Sequence, residues 1–87
     1  MRVRVLYFGI VRERIGVRQE PLELSDGATV ADMLETLARL HPSFAAGVRS
    51  VRVARNEEYV DSSTTLSEND EVAIIPPVSG GVYVQDR

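Results

Sequence analysis

Few of these 87 residues could take part in covalent chemistry, and the pair that draws attention is Gly80-Gly81, preceded by Pro76-Pro77 and followed by Val82 to Arg87. The chain has no cysteine, which excludes disulfides, thiolate metal sites and a thiol nucleophile. All ten of its basic residues are arginine, so no side chain offers an ε-amine for isopeptide or Schiff-base chemistry. The single histidine, His41, stands before Pro42 at an expected helix end, where an imidazolium is mildly favoured. Its sequence neighbours supply neither a partner base nor a metal ligand. The acidic pairs Glu57-Glu58 and Asp70-Glu71 sit in turn sequences and read as turn residues rather than as a carboxylate dyad or a hard-metal site, so no metal is expected. No glycine loop of the phosphate-binding kind is present, so any ATP would have to be held by another protein.

Glycine can thread a narrow channel and adopt backbone angles closed to other residues because it lacks Cβ. Two prolines cannot continue a strand ladder and hold the chain straight. Residues 76–81 therefore read as a flexible diglycine arm on a base stiffened by Pro76 and Pro77. Taken alone, Gly80-Gly81 reads instead as an ordinary turn into Val82-Tyr83-Val84, which could itself be a strand.

The elements behind the arm follow from periodicity. Val3, Val5 and Tyr7 alternate with Arg2, Arg4, Leu6 and Phe8, a strand whose first set faces a core and whose second set faces away; Gly9 ends it. Residues 10–18 predict one turn of helix and a loop closed at Gly16. Gln19 to Leu24 predict a second strand paired with the first as a hairpin, Leu22 and Leu24 inward, with Pro21 marking a sheet edge. Ser25-Asp26-Gly27 is a turn, and Thr29 with Asp32 nearly matches a capping box. The helix that begins there carries Val30, Met33, Leu34, Leu37 and Leu40 as one stripe and stops near His41. A short helical connector through Phe44 and Ala45 ends at Gly47. Strands follow at Val51 to Val53, at Tyr59-Val60 after the turn Asn56-Glu57-Glu58, and at Glu71 to Ile75 after a turn at residues 66–70. A ββαββ outline with a single main helix across one face of a mixed sheet is α+β, and suggests the β-grasp.

A chain of this length, 44% hydrophobic and 26% charged, is one domain with a thin core. Net charge is −3, and no aromatic residues are interleaved with Arg2, Arg4, Arg12, Arg14 and Arg18, so these read as a solvated face and no nucleic-acid partner is expected. No apolar run approaches the ~20 residues of a membrane span, and a cytoplasmic protein is expected.

Tyr7-Phe8-Gly9 through Val11-Arg12-Glu13, with Gly16 after it, resembles the opening signature of molybdopterin-synthase small subunits. Asp70-Glu71-Val72 followed by Pro76-Pro77-Val78-Ser79-Gly80-Gly81 resembles their ending, so that the likeness spans residues 1–81. The ending is the specific part. The resemblance implies a ubiquitin-like sulfur carrier, not catalytic alone. Its terminal Gly81 carboxylate, presented with Gly80, would be adenylated by a ubiquitin-activating-like adenylyltransferase that uses ATP, then converted to a thiocarboxylate. That sulfur would pass to the large subunit of the synthase. By the same resemblance Phe8, Tyr59 and Ile75 match an apolar patch that meets both partners, beside Pro76 and Pro77, and no cofactor is bound by the chain itself. Against the patch stands a plainer reading, in which Phe8 caps a loop and Tyr59 fills a sheet edge.

The departure from the pattern is the extension at residues 82–87. While it remains, the carboxyl group of Gly81 is a peptide carbonyl and cannot be adenylated. Three explanations stay open: removal by a protease, derivation from a fusion with the large subunit, or loss of the carrier chemistry. Two other functions stay open with them, a carrier for thiamine or cysteine synthesis and a ubiquitin-like interaction module that never exposes a diglycine.

Overall fold

The computed structural model describes residues 1–45, 47 and 50–77. In chain order the elements are β1 (Arg2–Tyr7), α1 (Gly9–Ile15), β2 (Gln19–Glu23), α2 (Val30–Leu40), α3 (Pro42–Ala45), β3 (Arg52–Arg55), β4 (Glu58–Val60) and β5 (Glu71–Ile75). The strands form one sheet in the order β2-β1-β5-β3-β4. Only the central β1–β5 pair is parallel; the others are antiparallel. The β-grasp expectation holds, and the sheet has the five strands read from the periodicity, one more than the ββαββ outline names.

Alternation decides the faces. Val3, Val5 and Tyr7 of β1, Leu22 of β2, Val53 of β3, and Val72 and Ile74 of β5 are buried in one cluster with Val30, Met33 and Leu37 of α2. Each large side chain sealed between helix and sheet contributes about 1.5–3 kcal/mol. Thr29 caps α2 as its neighbours predicted: its hydroxyl accepts from the Asp32 N–H at 3.2 Å, and the Asp32 carboxylate accepts from the Thr29 N–H at 2.9 Å. Pro21 lies on the edge strand β2, where its missing N–H breaks no inner ladder.

Three details differ from expectation. Leu40 is 56% exposed instead of closing the helix stripe, because it lies in the last turn, where the chain reverses at His41-Pro42 and leaves the side chain in solvent. The predicted single turn after Gly9 is a seven-residue helix, held down by buried Val11 and closed by Gly16 in the left-handed region at φ 95°. His41 does have a partner. Its Nε2 lies 2.6 Å from Glu20 Oε2, 21 residues away in sequence, and the Tyr7 hydroxyl donates to the same oxygen.

The acidic turn before β5 is structural. Asp70 is 8% exposed and accepts hydrogen bonds from the Ser67 N–H at 2.8 Å and from Asn56 Nδ2 at 3.0 Å, while Asn56 Oδ1 accepts from the Glu71 N–H at 3.0 Å. These bonds join the β3–β4 turn to the start of β5, the strand that leads to the arm.

Candidate functional site

The last sheet residue, Ile75, is followed by Pro76 at the mouth of α1. Gly9, the first residue of that helix, has φ +56°, and a Cβ placed on it would lie 2.9 Å from Pro76 Cγ. Only glycine tolerates both the backbone angle and the approach. Pro76 and Pro77 also line a cavity of about 170 Å³ together with Ile10, Val11, Arg14 and Phe44, so that α1 and α3 form a socket around the root of the arm. Gly80 and Gly81, and the extension after them, lie outside the described residues.

The sheet face away from α2 carries the proposed patch. Register sets Gln19 opposite Leu6, Leu6 opposite Ala73, Ala73 opposite Ala54, and Ala54 opposite Tyr59, a row crossing all five strands. Ile75 stands two residues beyond Ala73 on the same face, opposite Arg52. The Arg52 guanidinium carbon sits 4.3 Å from the centre of the Tyr59 ring, a cation–π contact that holds the ring over the sheet. On the other flank, the register that sets Tyr7 opposite Ile74 brings the next residues, Phe8 and Ile75, to the same end of the sheet. Phe8 is 45% exposed and Tyr59 60% exposed, while Leu6 and Ile75 are half-buried. Phe8 and Tyr59 thus leave apolar surface in water, the condition a contact surface requires. Phe8 is also the N-cap residue of α1, with an extended backbone and no capping side chain, so it does stand at a helix entrance. That position does not bury it.

Sequence reasoning had no signal for Arg52 as the partner of Tyr59, or for the Tyr7–Glu20–His41 cluster, since each joins residues of different elements. Gly9 was visible as the end of β1 and as part of the Tyr7-Phe8-Gly9 segment, but not as the seat of Pro76. Arg12 borders the Phe8 surface, lining a shallow depression with Leu6, Phe8 and Arg18, and among the described residues no ion pair joins it to Glu13. Burial first, then the Glu20 hydrogen bond and the Glu20 charge, push the Tyr7 phenol well above its ordinary pKa. That cluster faces the helix layer and serves to tie the end of α2 to β2. A hollow of about 740 Å³ lies between α2 and the β3–β4 hairpin and includes neither Pro76 nor Pro77. No helix among the described residues is long and apolar enough to cross a membrane.

Residues 5–81 match the model of the ThiS family, a span that stops at the second glycine of the arm. The molybdopterin synthase sulfur carrier subunit of Chlamydomonas reinhardtii is 42% identical over 83 residues, covering 93% of this chain and 100% of that protein. The protein of the same description from Arabidopsis thaliana is 38% identical, covering 93% of this chain and 84% of its own length. Among solved structures, SAMP1 from Haloferax volcanii superimposes with a TM-score of 0.81 at 28% identity, covering 93% of this chain and 100% of that one.

Proposed function

The chain belongs to the ThiS family, and from that premise we propose that it is the sulfur carrier subunit of a molybdopterin synthase, acting in molybdenum cofactor biosynthesis. The observation that carries this reading is the root of the arm. Strand β5 ends at Ile75, the next residue, Pro76, is pressed on Gly9 beside an exposed apolar face, and the matched family span runs on to Gly81. A partner seated on that face would also meet the chain at Pro76, four residues before Gly80 in sequence.

The chemistry follows from what a carboxylate lacks. Its oxygen is a poor leaving group, so Gly81 gives up an acyl group only after activation. A partner adenylyltransferase that holds ATP supplies it: the Gly81 carboxylate attacks the α-phosphorus, pyrophosphate departs, and a mixed anhydride with AMP results. Hydrosulfide then attacks the acyl carbon, the C–O bond to phosphate breaks, AMP leaves with the electron pair, and a thiocarboxylate remains on Gly81. The large synthase subunit receives that sulfur. Phe8, Tyr59 and Ile75 bind the partners, Pro76 and Pro77 orient the arm, and Gly80 and Gly81 pass into the partner's channel because neither carries a Cβ. This domain contributes no catalytic group of its own. Residues 82–87 must be absent when the carboxylate reacts, and a protease is the route we favour.

The test is intact-mass analysis of the protein from its native source, then of a chain ending at Gly81 treated with the adenylyltransferase, ATP and a sulfur donor. The expected results are a native species ending at Gly81 and an exchange of one oxygen for one sulfur at that terminus. A native protein that always ends at Arg87 and still supports the pathway would overturn the reading.

A further inference from the structure

A domain that carries an activated acyl group is at risk from its own nucleophiles and from those of its copies. An amine meeting the acyl adenylate forms an amide C–N bond while the C–O bond to phosphate breaks; AMP leaves with the electron pair and the amine proton goes to solvent. A thiol would form a thioester in the same way. In this chain every strong candidate is missing or engaged. Across all 87 residues there is neither cysteine nor lysine, and cation demand is met by ten arginines, whose guanidinium groups stay protonated and do not attack acyl carbon. The one imidazole lies with Nε2 2.6 Å from Glu20 Oε2. The Met1 α-ammonium donates to the Leu24 carbonyl oxygen at 2.7 Å and stands 3.2 Å from Asp26 Oδ1, while the Met1 side chain packs against the core. To attack, that amine would have to leave both acceptors.

We propose that this domain is built as a non-acceptor: its folded surface presents no free amine or thiol, so an activated terminus cannot be spent on the chain itself or on a second copy of it. The importance of this rests on the carrier reading, because only an activated chain needs such protection; the property itself does not. Arginine at every basic position supplies surface charge and ion pairs, as between Arg2 and Glu23 at 2.6 Å and Arg4 and Glu71 at 2.6 Å, without adding a nucleophile. Arg14 is the most informative position. It is exposed and lines the socket around Pro76 and Pro77, so a lysine there would put an ε-amine at the root of the arm.

The experiment needs no adenylating enzyme. The whole 87-residue protein is treated at neutral pH with a water-soluble N-hydroxysuccinimide acetyl ester, labile O-acyl esters are removed with hydroxylamine, and acetyl groups are counted by intact mass. The folded chain should gain acetyl at least about tenfold more slowly than the same chain in urea, since the Met1 amine must break two contacts to react. Asp26→Ala should narrow that gap, and Arg14→Lys should acquire one acetyl group at the rate of a free lysine. The inference is overturned if folded wild type is acetylated as fast as the unfolded chain, or if Arg14→Lys stays as inert as wild type, which would mean that something other than the missing amine protects the surface. Either result leaves the carrier reading standing, because that reading is decided by the sulfur exchange at Gly81.

Discussion

Gly9 and Pro76 meet so closely that a Cβ on Gly9 would fall 2.9 Å from the proline ring, at a residue whose φ is already +56°. Alanine at Gly9 therefore has two costs. The left-handed backbone alone is worth about 1–2 kcal/mol against a residue with Cβ, and the proline must also move. We expect Gly9→Ala to lower the melting temperature by roughly 5–15 °C and to reduce sulfur transfer by displacing the arm's root. A double-mutant cycle with Pro76→Ala separates the two costs. The pair should couple by roughly 0.5–1 kcal/mol, and strictly additive losses would show that Pro76 does not depend on Gly9.

Gly81→Ala tests the other end of the arm. Every strand, helix and core residue described lies within residues 1–77, so thermal and urea unfolding should match wild type. Sulfur transfer from a chain ending at position 81 should fall to background, because a methyl group is added where the acyl carbon must enter a partner's active site. A variant that unfolds would show the arm to be part of the structure.

Much of this was legible in the sequence, for physical reasons that also explain what was not. Period-two alternation in Val3, Val5 and Tyr7, and the Thr29–Asp32 cap, are local signals, and they placed β1 and the start of α2 correctly. Parity along β1 put Leu6 and Phe8 on the face away from the helix. Contacts between distant residues leave no local trace. The Glu20 carboxylate that joins Tyr7 to His41, and the Arg52 side chain against Tyr59, depend on strand register, which no window of sequence reveals. Leu40 fits the helical period and is exposed all the same, because periodicity says which way a side chain points and not whether anything lies there to cover it.

Phe8→Arg is expected to separate binding from stability. The ring is 45% exposed at the entrance of α1, so a charge there costs the free domain little, under about 1 kcal/mol. A partner seated on the Leu6–Ala73–Tyr59 row would have to bury that charge, and affinity should fall at least tenfold, or about 1.4 kcal/mol. Equal losses in melting temperature and in affinity, measured by calorimetry on the same samples, would mean that Phe8 belongs to the core.

The buried Tyr7 phenol predicts an alkaline limit to stability. Its folded pKa is raised, chiefly by desolvation, so above pH ~10 the unfolded chain loses this proton while the folded one keeps it. The unfolded state then binds fewer protons, and stability falls by about 1.4 kcal/mol per pH unit from this group. Below pH ~10 both states are protonated, and the group adds no pH dependence. Tyr7→Phe should remove that part of the alkaline slope in urea titrations taken at successive pH values. An unchanged slope would show that the phenol ionises in the folded protein as readily as in the unfolded chain.

The β3–β4 turn offers a gain in place of a loss. Register pairs Arg55 with Glu58, leaving Asn56 and Glu57 as a two-residue hairpin loop with φ 50° and 73°. Two successive positive angles are the signature of a type I′ turn, in which asparagine is well suited to the first position and glycine to the second. Asn56 cannot be spared, since its amide bonds Asp70 and the Glu71 N–H. Glu57 is exposed, and no side-chain hydrogen bond or ion pair engages it among the described residues, so it bears the cost of its angle without return. Glu57→Gly relieves that cost at the expense of some unfolded-chain entropy and should stabilise the domain by about 0.5–1 kcal/mol, a rise of a few degrees in melting temperature. Because the turn stands at the far end of β3 from Arg52 and the arm, sulfur transfer should not change. A lower melting temperature would mean that the entropy term outweighs the strain at this position.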